Sequence, residues 1–440
     1  MPVDLEIGFA PEALADGSPE ERAAFGLFKV QTRHGSLTEG WDYFLDGSRS
    51  GPMVSAYFIA EWFAWNWWRL RWEPRRSSLD WDPAHRMNTI GEGYVWPNIT
   101  IFSDGERTAL LSAPSVNPDA KPFRFFGSTP IVVPSRTFES SVDEFVGQVL
   151  GRLQTQNVDG SNLDRLWADI LAERVDPEVA RRRRIEAMLG RDPDSIDDEQ
   201  VEQLINDARQ LGEEAVQEIA ADQGQSRNLN GQAMTADQFA ALAKVCGFDA
   251  APRDAVRLGE LALPRRTDVP AWKLGAMAAQ SLREQERLGS GKIQNRRLAA
   301  MAGTERGIVT GDRTAGDGIS FTLADNPNRS KIVLRSKREA GRRFALARLI
   351  GDNLLSREGT LHPATRSHTY RQMAQRSFAA ELLSPFSSIE DMMAGDYSPE
   401  MQEDVAHYFS VSEWTIRTLL LNHGRIDRDD LEENIEALVA

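Results

Sequence analysis

Cysteine is the scarcest residue of the chain, with Cys246 alone in 440 positions. One thiol cannot form an internal disulfide, Cys-rich zinc sites are excluded, and a reducing compartment is expected. Histidine is nearly as sparse. His34, His85, His362, His368, His407 and His423 never stand three or four residues apart, so no single helix offers a histidine pair to a metal. Positive charge is also in deficit. A net charge of −15 argues against a mainly electrostatic nucleic-acid binder and leaves room only for a local basic patch. No G-x-x-x-x-G-K-S/T phosphate loop occurs, since "GSGK" (289–292) lacks the spacing, and no G-x-S-x-G elbow marks a nucleophile. Internal repeats and low-complexity tracts are lacking too.

Long apolar runs reduce to one candidate, "MVSAYFIAEWFAWNWWRL" (53–70). Glu61 and Asn66 sit inside it and Arg69 near its end, so burial in a core is expected rather than membrane insertion. The opening "MPVDLEIGFAPEALADG" has acids and prolines where a secretion signal has a charged start and an apolar stretch. A cytoplasmic location without a membrane partner is the expectation.

What is present is a globular balance, 41% hydrophobic and 27% charged, at a length that asks for two or three domains. Residues 1–140 read as a Trp-rich mixed α/β domain holding eight of the eleven tryptophans. These indoles form either a stacking platform for a base or peptide or a large aromatic core, and the core is expected. Strands are read in "WDYFLDGS", "YVWPNITIFSDGERTALLSA" and "STPIVVPSRTF", with "SDGE" as a hairpin tip. Residues 141–225 read as a helical connector, opened by a capping box in "SVDE" (141–144). In it, "RRRR" (181–184) suggests either phosphate contact or a solvated helix face, the latter expected. Residues 226–270 read as linker and helical segment, the polar stretch 221–238 being the best linker. In 271–440, "ISFTLADNPNRSKIVLRS" (319–336) reads as two strands around a turn. The helices "RRFALARLIGDNLL" (342–355) and "HTYRQMAQRSFAAELLSPF" follow, then a closing helical pair that stops at Gly424.

Three of these segments, "RRFALARLIGDNLL", "RSFAAELLSP" (376–385) and "VAHYFSVSEWTIRTLLLNHG" (405–424), carry a resemblance. In order and spacing, residues 271–425 resemble the ImmA/IrrE family, zincin-like metallopeptidases of bacteria and their mobile elements. The likeness implies an α+β chain whose C-terminal domain is zincin-like. It also implies a helix with two zinc-binding histidines at i and i+4 and a glutamate base beside the first. At those positions this sequence has Arg348, Asp352 and Leu349 respectively. An arginine offers zinc no lone pair, and a leucine takes no proton from water. The family's third ligand has no counterpart, because residues 359–380 contain no acid, and Glu381 belongs to the "FAAELL" pattern. The expectation is therefore a lost zinc site with no catalytic residue. Arg348 and Asp352 would form an i, i+4 ion pair that plugs the cleft, or Arg348 would bind an anion; Arg376 is a third cleft candidate.

The function this implies is a non-catalytic recognition protein, binding a protein or peptide partner in a stress, phage or mobile-element setting. One alternative is an atypical zinc endopeptidase that cleaves a transcriptional repressor, with His362 and His368 holding the metal. Another is a DNA-binding regulator. The closing helical pair has helix-turn-helix proportions, but residues 401–440 carry nine acids against three arginines, which repels phosphate. The more basic segment 271–303 is the remaining candidate for DNA, although the family has a structural helix there.

Overall fold

The structure, a computed structural model, describes residues 4–76, 80–117, 121–195, 198–225, 233–259, 263–314, 318–326, 328–356 and 359–427. Its architecture is α+β. Two compact units divide the chain, Met1–Val201 and Glu202–Ala440. The division falls within the connector expected over 141–225. Its first helices join the residues before them because Phe145, Val149, Trp167 and Ile170 are buried in the first unit's core.

The first unit begins with strands β1 (Leu5–Pro11), β2 (Phe25–Thr32), β3 (Gly35–Ser36), β4 (Gly40–Asp42) and β5 (Gly47–Arg49). It continues with β6 (Met53–Ser55), β7 (Ile99–Ser103), β8 (Arg107–Ser112), β9 (Phe123–Phe125) and β10 (Ile131–Pro134). Its helices are α1 (Pro19–Ala23), α2 (Ala56–Trp72), α3 (Asp82–His85), α4 (Ser135–Thr155), α5 (Asn162–Val175) and α6 (Pro177–Met188). The strands form three antiparallel sheets: β1-β2-β3 with β6 on β2, β10-β8-β7, and β5-β4-β9. Period-two alternation sets the first register, with Ile7 opposite Val30 and Phe9 opposite Phe28 on one face. Phe145 of α4 packs edge-on against both Phe9 and Phe28.

The apolar run becomes β6 and the buried helix α2. Each of its polar residues is matched: Glu61 accepts from Tyr57 Oη and Asn162, Asn66 donates to Trp62 O, and Arg69 pairs with Glu73. Among the described residues no helix is long and apolar enough to cross a membrane. Trp62, Trp67, Trp68, Trp81 and Trp96 are buried, which is the aromatic core expected, and Trp65 is exposed. The "SDGE" tip turns between β7 and β8 with Gly105 at φ +100°. The capping box expected at 141 is corrected. Helix α4 starts six residues earlier, and Ser141 instead donates from within it to Leu5 O and Thr137 O. In the arginine run, Arg181, Arg182 and Arg183 pair with acids of the same unit, and Arg184 lies over Trp72.

The second unit contains strands β11 (Phe248–Ala250), β12 (Ser320–Asn326), β13 (Arg329–Val333) and β14 (Leu361–Ala364) in one antiparallel sheet ordered β11-β13-β12-β14. Helix α7 (Asp198–Leu211) crosses the division between the units, followed by α8 (Glu213–Gln225), α9 (Ala236–Cys246), α10 (Ala271–Gln285), α11 (Asn295–Met301) and α12 (Gly307–Thr310). The remaining helices are α13 (Glu339–Leu355), α14 (Tyr370–Leu383), α15 (Phe386–Met393), α16 (Pro399–Phe409) and α17 (Glu413–Asn422). The linker expected over 221–238 is narrower than read: α8 and α9 occupy its ends, and residues 226–232 lie outside the described residues. The strand pair over 319–336 and the closing pair around Ser410 appear as expected, with Pro327 outside the described residues.

Small residues let α10 and α14 approach closely. A Cβ on Gly275 would stand 2.2 Å from Ala374 O, with Ala278, Ala279 and Phe378 buried around the contact. Alanine would be favoured by about 1 kcal/mol in an open helix interior. Here overpacking reverses the sign, and Gly275→Ala should cost about 2 kcal/mol in urea unfolding. A variant as stable as the parent would disprove the close contact.

Candidate functional site

Helix α13 is placed by its apolar stripe, Leu346, Ala347, Leu349 and Ile350, all buried against the second unit's core. Helix α14 is capped by Thr369, whose hydroxyl accepts from Gln372 N. From that start, Arg371, Gln372 and Gln375 are buried together with Asp352 of α13.

Asp352 is the centre of the arrangement. Its Oδ1 accepts from Arg371 Nε at 2.8 Å and Gln375 Nε2 at 2.7 Å. Its Oδ2 accepts from Arg371 Nη2 at 2.6 Å and His362 Nδ1 at 2.9 Å. Burial alone would raise this carboxyl, but the Arg371 guanidinium and the His362 bond hold it well below the carboxylate range. The expected ion pair between Arg348 and Asp352 is corrected. Arg371 presents a two-pronged fork that one turn of α13 cannot match, and Gln375 sits between the other two. Arg348 Nη2 donates to Thr365 O (2.7 Å), Gln372 Oε1 (2.6 Å) and Gln375 Oε1 (3.3 Å). Gln375 therefore links the two side chains, accepting from one and donating to the other.

Two more charges complete the surroundings. Burial, reinforced by the Arg376 cation, pushes Arg348 down to about 9. Arg376 donates to Ser367 O at 2.9 Å. Glu218 of α8 is buried, accepting from Thr369 Oγ1 (2.7 Å) and Ser367 Oγ (3.2 Å). Burial raises its carboxyl and Arg371 opposes the rise.

Beyond His362 lies a cavity of about 430 Å³, a size that suits a ligand pocket. Its floor is one face of the sheet: Thr322 stands opposite both His362 and Ile332, and Ala324 opposite Ser330. Leu349, Ile350 and Asn353 of α13 form a wall. Leu349 thus borders a cavity, while Asp352 faces a filled network. The void beside Asp352, Arg371 and Gln375 is about 10 Å³, the lower limit for a single water.

These residues do not fit zinc. A carboxylate offers about four acceptor positions, and Asp352 has four donors on them. His362, one of the two histidines considered for zinc with His368, donates from Nδ1 to that carboxylate, and a metal on its other nitrogen would need further ligands beside it. Among the described residues no group of three or more His, Cys, Asp or Glu is arranged to hold a metal ion. Glu381 has other partners, Gln280 Nε2 and Phe386 N.

No protein-family model, curated protein or solved structure matches the chain. Arg371, Gln372, Gln375 and Glu218 were not legible as site residues. No local motif singles out the three on α14, and Glu218 comes from a helix far away in sequence.

Asp352→Asn keeps the shape but sets an amide against Arg371. It should cost about 3 kcal/mol or more, as loss of one partner of a buried pair does. The folded carboxyl titrates below its unfolded value of about 3.9, so its contribution is present above that pH and is lost as pH falls further. Glu218 contributes with the opposite sign, so the difference between parent and variant is the quantity to measure. Urea unfolding from pH 6 downwards should show that difference shrinking below about pH 4; a constant gap would contradict the ionised network.

Proposed function

We propose that this chain is a non-catalytic recognition protein whose second unit uses an ImmA/IrrE-like frame, with its metal chemistry lost, to hold a segment of a protein or peptide partner. One observation carries the reading. At the positions where such a frame would place its ligands, Asp352 has every acceptor position taken and Arg348 is hydrogen-bonded to Thr365 and Gln372, while their helix neighbours Leu349, Ile350 and Asn353 border an open cavity. A buried network that fills every acceptor position of Asp352 supports a fixed cleft shape, and a cavity of mixed lining supports binding. A regulatory setting in a bacterial cytoplasm, through a stress response, a phage or a mobile element, follows from the family likeness alone.

The test pairs metal analysis with peptide selection. Purified full-length protein should contain well below one zinc per chain. It should also select peptides from a displayed random library and return them uncleaved. Asn353→Trp, at an exposed position on the cavity wall, should weaken the selected peptides about tenfold or more without unfolding the chain. Stoichiometric zinc with peptide cleavage that is lost in His362→Ala would establish the endopeptidase instead. Salt-sensitive DNA binding with no peptide selected would establish the DNA-binding regulator.

A further inference from the structure

The cavity is lined by one imidazole, one carboxylate and the neutral polar groups of Thr322, Asn326, Ser330, Asn353 and Thr360. His362 is 7% exposed, and its two ring nitrogens have different roles. Nδ1 faces the ionised Asp352 carboxylate at 2.9 Å, so it carries the hydrogen and donates. In the neutral ring, a hydrogen on Nδ1 leaves the lone pair on Nε2. Among the described residues the hydrogen bond of the ring is the one made by Nδ1, and His362 lines the cavity. Asp325 and Asn353, both exposed, also line the cavity. No lysine or arginine does so among the described residues, and Ile332 and Leu349 supply apolar walls. The combination is a lone pair within, a carboxylate on the exposed side and hydrocarbon between them.

We infer that the cavity receives a lysine side chain of the partner segment, its ammonium donating to His362 Nε2 and its methylenes lying along Leu349 and Ile332. This inference rests on the recognition reading above and names what the cleft recognises. An anion would meet both the lone pair and the Asp325 carboxylate. A neutral apolar side chain would strip water from Nε2 and leave it without a donor, which is unfavourable. Arginine presents a planar fork that calls for two coplanar acceptors, whereas an ammonium is a compact donor that one lone pair can orient. A lysine stem also matches the walls, since its four methylenes bury well beside aliphatic side chains.

The test uses full-length protein and three fluorescein-labelled hexapeptides that differ only at one central residue: lysine, arginine or norleucine. Anisotropy titrations should show the lysine peptide binding about tenfold tighter than norleucine, the smaller end of what one hydrogen bond to a charged group contributes. Arginine should fall between them. Asn353→Lys places a like charge on an exposed part of the wall and should abolish the lysine preference while leaving thermal unfolding unchanged. Nitrogen-15 spectra of the imidazoles should put the hydrogen of His362 on Nδ1 and should shift Nε2 when the lysine peptide is added. Equal binding of lysine and norleucine peptides, or a preference that survives Asn353→Lys, would overturn the inference and leave the recognition reading intact. So would failure of all three hexapeptides, because the displayed library, which is blind to charge, judges recognition separately.

Discussion

A carboxylate shut away from water is stable only when its acceptor positions are filled and its charge is opposed. Asp352 meets both conditions with donors from two other elements, His362 of β14 and the pair Arg371 and Gln375 of α14. That requirement fixes how α13, β14 and α14 sit against one another. Gln375 must turn its amide nitrogen toward Asp352, which leaves its oxygen for Arg348, and Gln372 and Thr365 complete the cradle of that arginine. The electrostatics are lopsided, because Arg371 has the carboxylate while Arg348 and Arg376 donate to neutral oxygens.

The first unit contains a comparable device, and the contrast is informative. Glu73 is fully buried, paired with Arg69 at 2.6 Å and Arg76 at 2.7 Å, with His85 Nε2 at 3.1 Å. The other nitrogen of His85 lies 2.7 Å from Ile101 O, and the ring stacks on Trp81, so both ring nitrogens are engaged. A buried carboxylate ringed by arginine and histidine is therefore a packing solution that this chain uses twice. The second instance differs in that His362 makes one ring-nitrogen hydrogen bond among the described residues and lines a cavity. That difference, and not the cluster itself, supports binding.

Charge gives the same result at a larger scale. The chain is acidic overall, yet its interior arginines are numerous, and Arg342 and Arg343 are fully buried with main-chain carbonyls as acceptors. These two guanidiniums tie the carbonyls of Ile308 and Ile293 to helix α13.

By itself the sequence determined the α+β class, the aromatic core of the first unit, the hairpin at Gly105, the strand pair of β12 and β13, and the helix over 342–355. Each follows from local periodicity, turn chemistry or an apolar stripe, which neighbouring residues encode. It also determined that Arg348 and Leu349 supply neither a ligand nor a base, because that is a matter of side-chain electronics. Tertiary structure alone decided who pairs with Asp352. An i, i+4 rule sees only one helix, and the winning partners lie on a strand and on a second helix. Tertiary structure likewise moved the start of α4 to Ser135, where the strand before it ends, and opened the cavity between a helix wall and a sheet face. Such features depend on which faces meet, and the chain encodes that only through the packing of the whole unit.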